Sequence, residues 1–221
     1  MKRFFVLCAA LALIPTLAAA QAMAPKLDGH PTDTEAAFVS TISADLLARF
    51  PTTASAMRAG YIRFTDEDNT GAISYANRMW NSADPKHPSQ LWYDVNGNLI
   101  GADYSELYVD SSSAPNLWGV SPSRWEKGGA HVHYGLVGPN GTTIYGAIGS
   151  KGLAAVGATV ATATTASLVA AGAAKKTSDV RFMFTFPAIW DLQVWLIPNP
   201  NGAFGEKNPN LKPSAAAKMQ M

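Results

Sequence analysis

The chain has one cysteine in 221 residues, Cys8, and it lies in an N-terminal apolar run. Once that run is removed the protein has neither disulfide nor thiol, so thiol catalysis is excluded and stability must come from packing. Charge of one sign is also lacking. Seventeen basic residues face 16 acidic ones, which points to no nucleic-acid partner and no anionic membrane surface. No G-x-S-x-G turn is present, and neither is a G-x-x-x-x-G-K-[ST] or G-x-G-x-x-G loop, which argues against serine-hydrolase and nucleotide chemistry. Apolar runs are short as well. Phe4–Leu17 spans 14 residues and contains Pro15, against the ~20 needed to cross a bilayer. Leu153–Ala174 carries no charge, but ten of its residues are alanine, and transfer of such a segment into hydrocarbon is weakly driven.

What the N-terminus does have is the pattern of a cleavable export signal. Lys2 and Arg3 precede the apolar run, and Ala18–Ala22 offers A-x-A sites after Ala20 or Ala22. Residues 1–22 therefore read as a signal peptide, the mature chain as starting at Gln21 or Met23, and the location as secreted or periplasmic, with no membrane association after cleavage. Without Lys2 and Arg3 the balance becomes 15 basic to 16 acidic residues in a chain of 199. That length suits a single domain. The expected division is a domain over 23–206 and a disordered tail over 207–221, rich in Pro, Asn and Lys.

Thr32-Asp33-Thr34-Glu35 has capping-box spacing. Phe38, Ile42 and Leu46 then repeat every four residues up to Pro51, which predicts a helix over about 33–49. A second, short helix is expected from Thr52 or Thr53 to Gly60. From about residue 73 the pattern is that of strands. Leu91–Val95 and Leu99–Asp103 flank Asn96-Gly97, a type I′ hairpin signal, and a second hairpin is expected at Pro139-Asn140-Gly141 between His131–Val137 and Thr142–Ile148. Two later strands, Arg181–Phe186 and Asp191–Ile197, flank Pro187; Phe182, Phe184 and Phe186 share one face of the first, and Leu192, Val194 and Leu196 share one face of the second. These faces are expected to form the core. Between them Thr164 or Thr165 caps a short helix ending near Gly172.

His131 and His133 are the first chemical candidates. Two apart on a strand, they share a face, and two imidazoles so placed can reach one metal ion. Asp191 and Gln193 supply further ligands if their strand is a neighbour. The alternative is a polar sheet face meeting water. Asp191, Gln193, Trp195 and Tyr134 are the candidate ligand-binding residues, and Trp80, Trp92, Trp118 and Trp125 are candidate contact residues or core. Asp66–Asn77 resembles an EF-hand loop through Asp66, Asp68, Thr70, Gly71, Ile73 and Ser74. Its last position fails, because Asn77 cannot give a bidentate carboxylate.

Trp190-Asp191-Leu192-Gln193-Val194-Trp195-Leu196, then Asn199-Pro200-Asn201-Gly202-Ala203-Phe204 and Asn208-Pro209, resembles the C-terminal signature of a group of uncharacterised exported bacterial proteins. Asp84-Pro85-Lys86-His87-Pro88 is similar to a further segment of that group. The likeness covers about a third of the chain and implies no known activity. Gln193 stands where the group tends to have His, which weakens a metal or acid–base role for this strand.

The expected fold is α+β, with N-terminal helices packed on a largely antiparallel sheet that curls toward a barrel. The expected function is that of an exported, non-catalytic binding or assembly protein of unknown ligand, with a second copy of the chain among its candidate partners. The alternatives are a metal-binding protein or metal-assisted enzyme using His131 and His133, and a small-molecule pocket inside a barrel. No cofactor is indicated.

Overall fold

Thr32 opens the first helix with a reciprocal cap: its Oγ1 accepts from Glu35 N at 3.3 Å, and Glu35 Oε2 accepts from Thr32 N at 2.9 Å. Two backbone donors that a helix start leaves unpaired are thereby satisfied. The helix, α1, runs Asp33–Arg49, and α2 runs Thr53–Arg58 behind a second capping box at Thr52 and Ser55. Both follow the sequence expectation. Phe38, Ile42 and Leu46 are buried on one stripe of α1, and each such side chain adds roughly 1.5–3 kcal/mol on burial. The structure, a computed structural model, describes residues 28–80, 84–109 and 113–217; the signal peptide expected over 1–22 lies outside them.

The strands are β1 (Ile62–Arg63), β2 (Ile73–Ala76), β3 (Gln90–Tyr93), β4 (Leu99–Leu107), β5 (Glu126–Gly128), β6 (His131–Val137), β7 (Thr143–Gly149), β8 (Val180–Phe186) and β9 (Ile189–Trp195). They form two antiparallel sheets, ordered β1-β2-β3-β4-β9-β5 and β7-β6-β8. The α+β expectation holds. The barrel does not: the described strands leave β1 and β5 as open edges of the larger sheet, because the chain changes sheets at Pro187-Ala188 instead of continuing around one. Proline cannot donate to a ladder, which suits the position where β8 ends and β9 begins elsewhere.

One face of the large sheet packs on α1. Leu91, Tyr93, Ala102, Tyr104, Leu192 and Val194 join Phe38, Ile42 and Leu46 in the main core. The aromatic face of β8 belongs to a separate cluster with Phe64 and Ala76, so the two late strands feed different cores. Trp125 is buried in the main core, with Trp80 and Trp118 packed against it, whereas Trp92 belongs to a smaller cluster with Trp195.

The first hairpin turn differs from its expected form. At 94–98 only Gly97 has positive φ (81°); Asp94 O accepts from Gly97 N, and the Asp94 carboxylate accepts from the backbone of Asn96 and Asn98. Asp94 thus recruits a longer turn ending in a left-handed glycine instead of the two-residue type I′ turn. Positive φ at both central residues, as type I′ requires, occurs instead at Asn140 (53°) and Gly141 (76°).

The alanine-rich stretch folds into two short helices, α3 (Ser150–Ala154) and α4 (Thr165–Ala170), which bury Leu153 and Leu168. Thr164 caps α4, and Gly172 follows it at φ 73°. No helix among the described residues is long and apolar enough to cross a membrane.

Residues 207–217 run back along the body. Asn208 is buried, with its Nδ2 donating to Pro198 O, and the Glu67 carboxylate accepts from the backbone N and hydroxyl of Ser214. Side-chain hydrogen bonds hold this segment where apolar content alone would not. The segment at 28–30 also meets the loop at 202–205. Phe204 N donates to Gly29 O, and Arg124 donates to the carbonyls of Asp28 and His30 and to Glu35, with Phe204 beneath its guanidinium.

Candidate functional site

Strand alternation places one row of side chains from β2, β3, β4 and β9 away from α1. Asp103 stands opposite Gln90 and Gln193, Ser105 opposite Asp191, and Trp92 opposite Gly101 and Ser74. These neighbours share a face, because directly opposed residues in antiparallel strands project to the same side. The smaller sheet presents His131 and His133 toward the same space. Between the sheets lies a cleft of about 840 Å³, lined by Trp92, Trp195, Asp103, Asp191, His131 and His133, with Gln90 and Gln193 beside them.

Asp103 is 3% exposed. Its Oδ2 accepts from Trp92 Nε1 at 3.0 Å, while its buried Oδ1 has no hydrogen-bond partner. Burial, and then the charge of Asp191, push its pKa well above the ordinary aspartate value. Asp191 is pushed up to about 7, first by burial and further by Glu126, against the opposing effect of hydrogen bonds from Gln193 and Ser105. Its Oδ1 is also buried without a partner. Two carboxylates in one desolvated place cannot both ionise cheaply, so near neutral pH the pair retains a proton. Beneath them Ser89 Oγ lies 2.7 Å from Ser105 Oγ and donates to Asp103 O.

The histidines form a closed pair. His131 Nδ1 lies 2.7 Å from Gly129 O, and the Nε2 atoms of His131 and His133 lie 2.9 Å apart. A carbonyl only accepts, so His131 carries its proton on Nδ1; in the neutral pair His133 Nε2–H then donates to His131 Nε2. The ring of His133 packs against Phe64 at 4.5 Å and Phe184 at 5.7 Å. Burial and the neighbouring His131 press its pKa down to about 3. Phe64 and the phenylalanines of β8 border this face, where both histidines are half-buried and line the cleft.

Asp191, Gln193 and Trp195 share the cleft with the histidines, although β9 and β6 belong to different sheets and are not paired. Tyr134 is on the other face of β6, over Gly146, where a Cβ would lie 2.5 Å from its Cζ. Among the described residues no three His, Cys, Asp or Glu side chains are disposed to hold a metal ion. The calcium-loop pattern is spent on structure. The Asp68 carboxylate accepts from Thr70 N at 2.7 Å, Thr70 Oγ1 at 2.6 Å and Ala72 N at 3.1 Å, while Asn77 bonds Ala59 O and Met79 N.

Asp103 and Gln90 were not evident as site residues. The signal for them is a polar or tryptophan residue at every second position of Gln90–Trp92, Asp103–Ser105 and Asp191–Trp195, three segments that become neighbours only in the sheet. No family model matches the chain, and no curated protein or solved structure matches it either.

Proposed function

We propose that this is an exported binding protein that takes a small polar molecule into the cleft between its two sheets, without converting it. The observation that carries this reading is the character of the facing surfaces. Sheets that pack face to face normally close over apolar side chains about 10 Å apart; here Asp103, Asp191, Gln90 and Gln193 project from one wall beside Trp92 and Trp195, and the space stays open. A volume of this size is that of a ligand pocket, with aromatic surface for contact and a few polar groups for orientation. The resemblance to exported bacterial proteins agrees with this location and adds no activity.

Intrinsic tryptophan emission tests the reading, because Trp92 and Trp195 both line the cleft. A screen of small polar metabolites should find compounds that shift the emission of the parent protein. The same compounds should leave Ala147→Trp unaffected, since Ala147 is an exposed residue on the cleft wall and an indole there fills the opening.

The alternative of a metal-binding protein or metal-assisted enzyme rests on the histidine pair. The 2.9 Å between the Nε2 atoms is shorter than the roughly 3.3 Å that a tetrahedral zinc ion sets between two nitrogens at about 2.0–2.1 Å, so the rings would part by a few tenths of an ångström to take one. Stoichiometric metal in protein purified without added metal, absent from the His131→Ala/His133→Ala double variant, is the result that favours it.

A further inference from the structure

Resting on the cleft reading, we infer that the ligand is a small organic cation, an amine or guanidinium, bound by the free oxygens of Asp103 and Asp191 beside the indole of Trp92. Asp103 has one oxygen bonded to Trp92 and one buried without a partner, and Asp191 likewise has a buried oxygen without a partner. Buried polar atoms are nearly always paired, and an orphaned carboxylate oxygen in a cleft marks where a donor is missing. Two such oxygens, contributed by adjacent strands, set a donor requirement that no protein group among the described residues meets.

The sign of the missing donor follows from charge. Six acidic residues line the cleft, Asp66, Glu67, Asp68, Asp103, Asp191 and Glu206, and Lys207 is the one Lys or Arg in that lining. Asp68 and Glu67 are satisfied within the protein, by Thr70 with Ala72 and by Ser214, and Arg63 lies 3.7 Å from Asp66. These three supply field and not contacts. A neutral hydroxyl ligand would offer hydrogen bonds to Asp103 and Asp191 but leave the second carboxyl unable to ionise beside the first. An ammonium or guanidinium removes both deficits at once. Trp92 adds the surface such a group prefers. Its ring rests on Gly101 and lines the cleft, and a cation over an indole face is attracted by the ring quadrupole.

The test is titration of the full mature chain with putrescine and agmatine, followed by tryptophan emission and calorimetry, with 1,4-butanediol and glucose as neutral counterparts. The amines should bind and the neutral probes should not. Asp103→Asn and Asp191→Asn, which keep the shape and remove the charge, should each weaken amine binding by roughly 30-fold or more, while melting at or above the parent's temperature because a buried carboxyl that ionises only at a cost is gone. Amine binding unchanged in both variants overturns the inference. So does silence from both amines at millimolar concentration. If glucose or the diol binds and Ala147→Trp blocks it, the cationic class is wrong and the cleft reading survives.

Discussion

Gly101 is the seat of Trp92: a Cβ at position 101 would overlap Cε3 of the indole and lie 2.9 Å from Cζ3. The two residues stand opposite each other on β4 and β3, and the missing side chain lets the ring lie against the strand. From there its Nε1 reaches Asp103 and its edge meets Trp195, 5.2 Å between ring centroids.

Gly101→Ala should therefore lift the indole and break its bond to Asp103. Overpacking of this kind costs roughly 1–3 kcal/mol, read as a lower urea midpoint, with a change in tryptophan emission. A midpoint and spectrum equal to the parent's would show that the ring does not depend on the glycine.

Glu35→Gln should be among the most damaging single changes. Glu35 is 1% exposed and receives Arg124, Thr32 N and Ser121 N, so its loss as an anion leaves a buried guanidinium uncompensated, at about 3 kcal/mol or more. Burial opposes ionisation of Glu35, but the hydrogen bonds from Arg124, Thr32 and Ser121 prevail and bring its pKa down to about 2. A lowered carboxylate stabilises the fold fully above the ordinary value of 4.5, and that stability is lost as pH falls from there toward 2. Denaturation midpoints between pH 6 and pH 3 should show the loss in the parent and a smaller one in the variant.

His133 works in the same direction by another route. Its ring stays neutral in the fold down to about pH 3, whereas the unfolded chain takes up a proton near 6.5, so stability is complete above 6.5 and declines below it. His133→Phe keeps the contact with Phe64 and Phe184 and should flatten this part of the acid loss, of order 1–3 kcal/mol by pH 4. His133→Ala should instead lower stability at every pH, through loss of packing.

Calcium should not bind tightly to the loop at 66–77, since Asp68 is committed to Thr70 and Ala72. Titration calorimetry should give no micromolar heat. Asp68→Ala should destabilise the turn by about 1–2 kcal/mol, as loss of a side-chain cap does, with or without calcium present.

The elements that sequence predicts best here are those decided within a few residues. Thr32 and Glu35 specify a helix start by themselves, and Phe38, Ile42 and Leu46 specify its buried side; Thr164 and Gly172 bracket α4 for the same reason. Asn96-Gly97 misleads because Asp94, two residues upstream, competes for the same backbone donors. The sheet change after Phe186 has no local signature beyond Pro187, and the curl toward a barrel was inferred without it. For the site, His131 and His133 are legible as a pair, and Asp191, Gln193 and Trp195 as a row. Their common cleft is not, since it depends on two sheets facing each other, and Phe64, which encloses His133, is some seventy residues away in the chain.

The knot of contacts around Arg124 bears on the order in which the protein can fold. Residues 28–35, the guanidinium at 124 and the loop at 202–205 close on one another, while α1 rests on β9, more than 140 positions later. A chain emerging N-terminus first finds partners for its opening helix in β3 and β4 but cannot complete this core until β9 is available. Contacts at such separation form slowly, so the joining of the first helix to the last strand, and not the hairpins between them, should set the pace of folding.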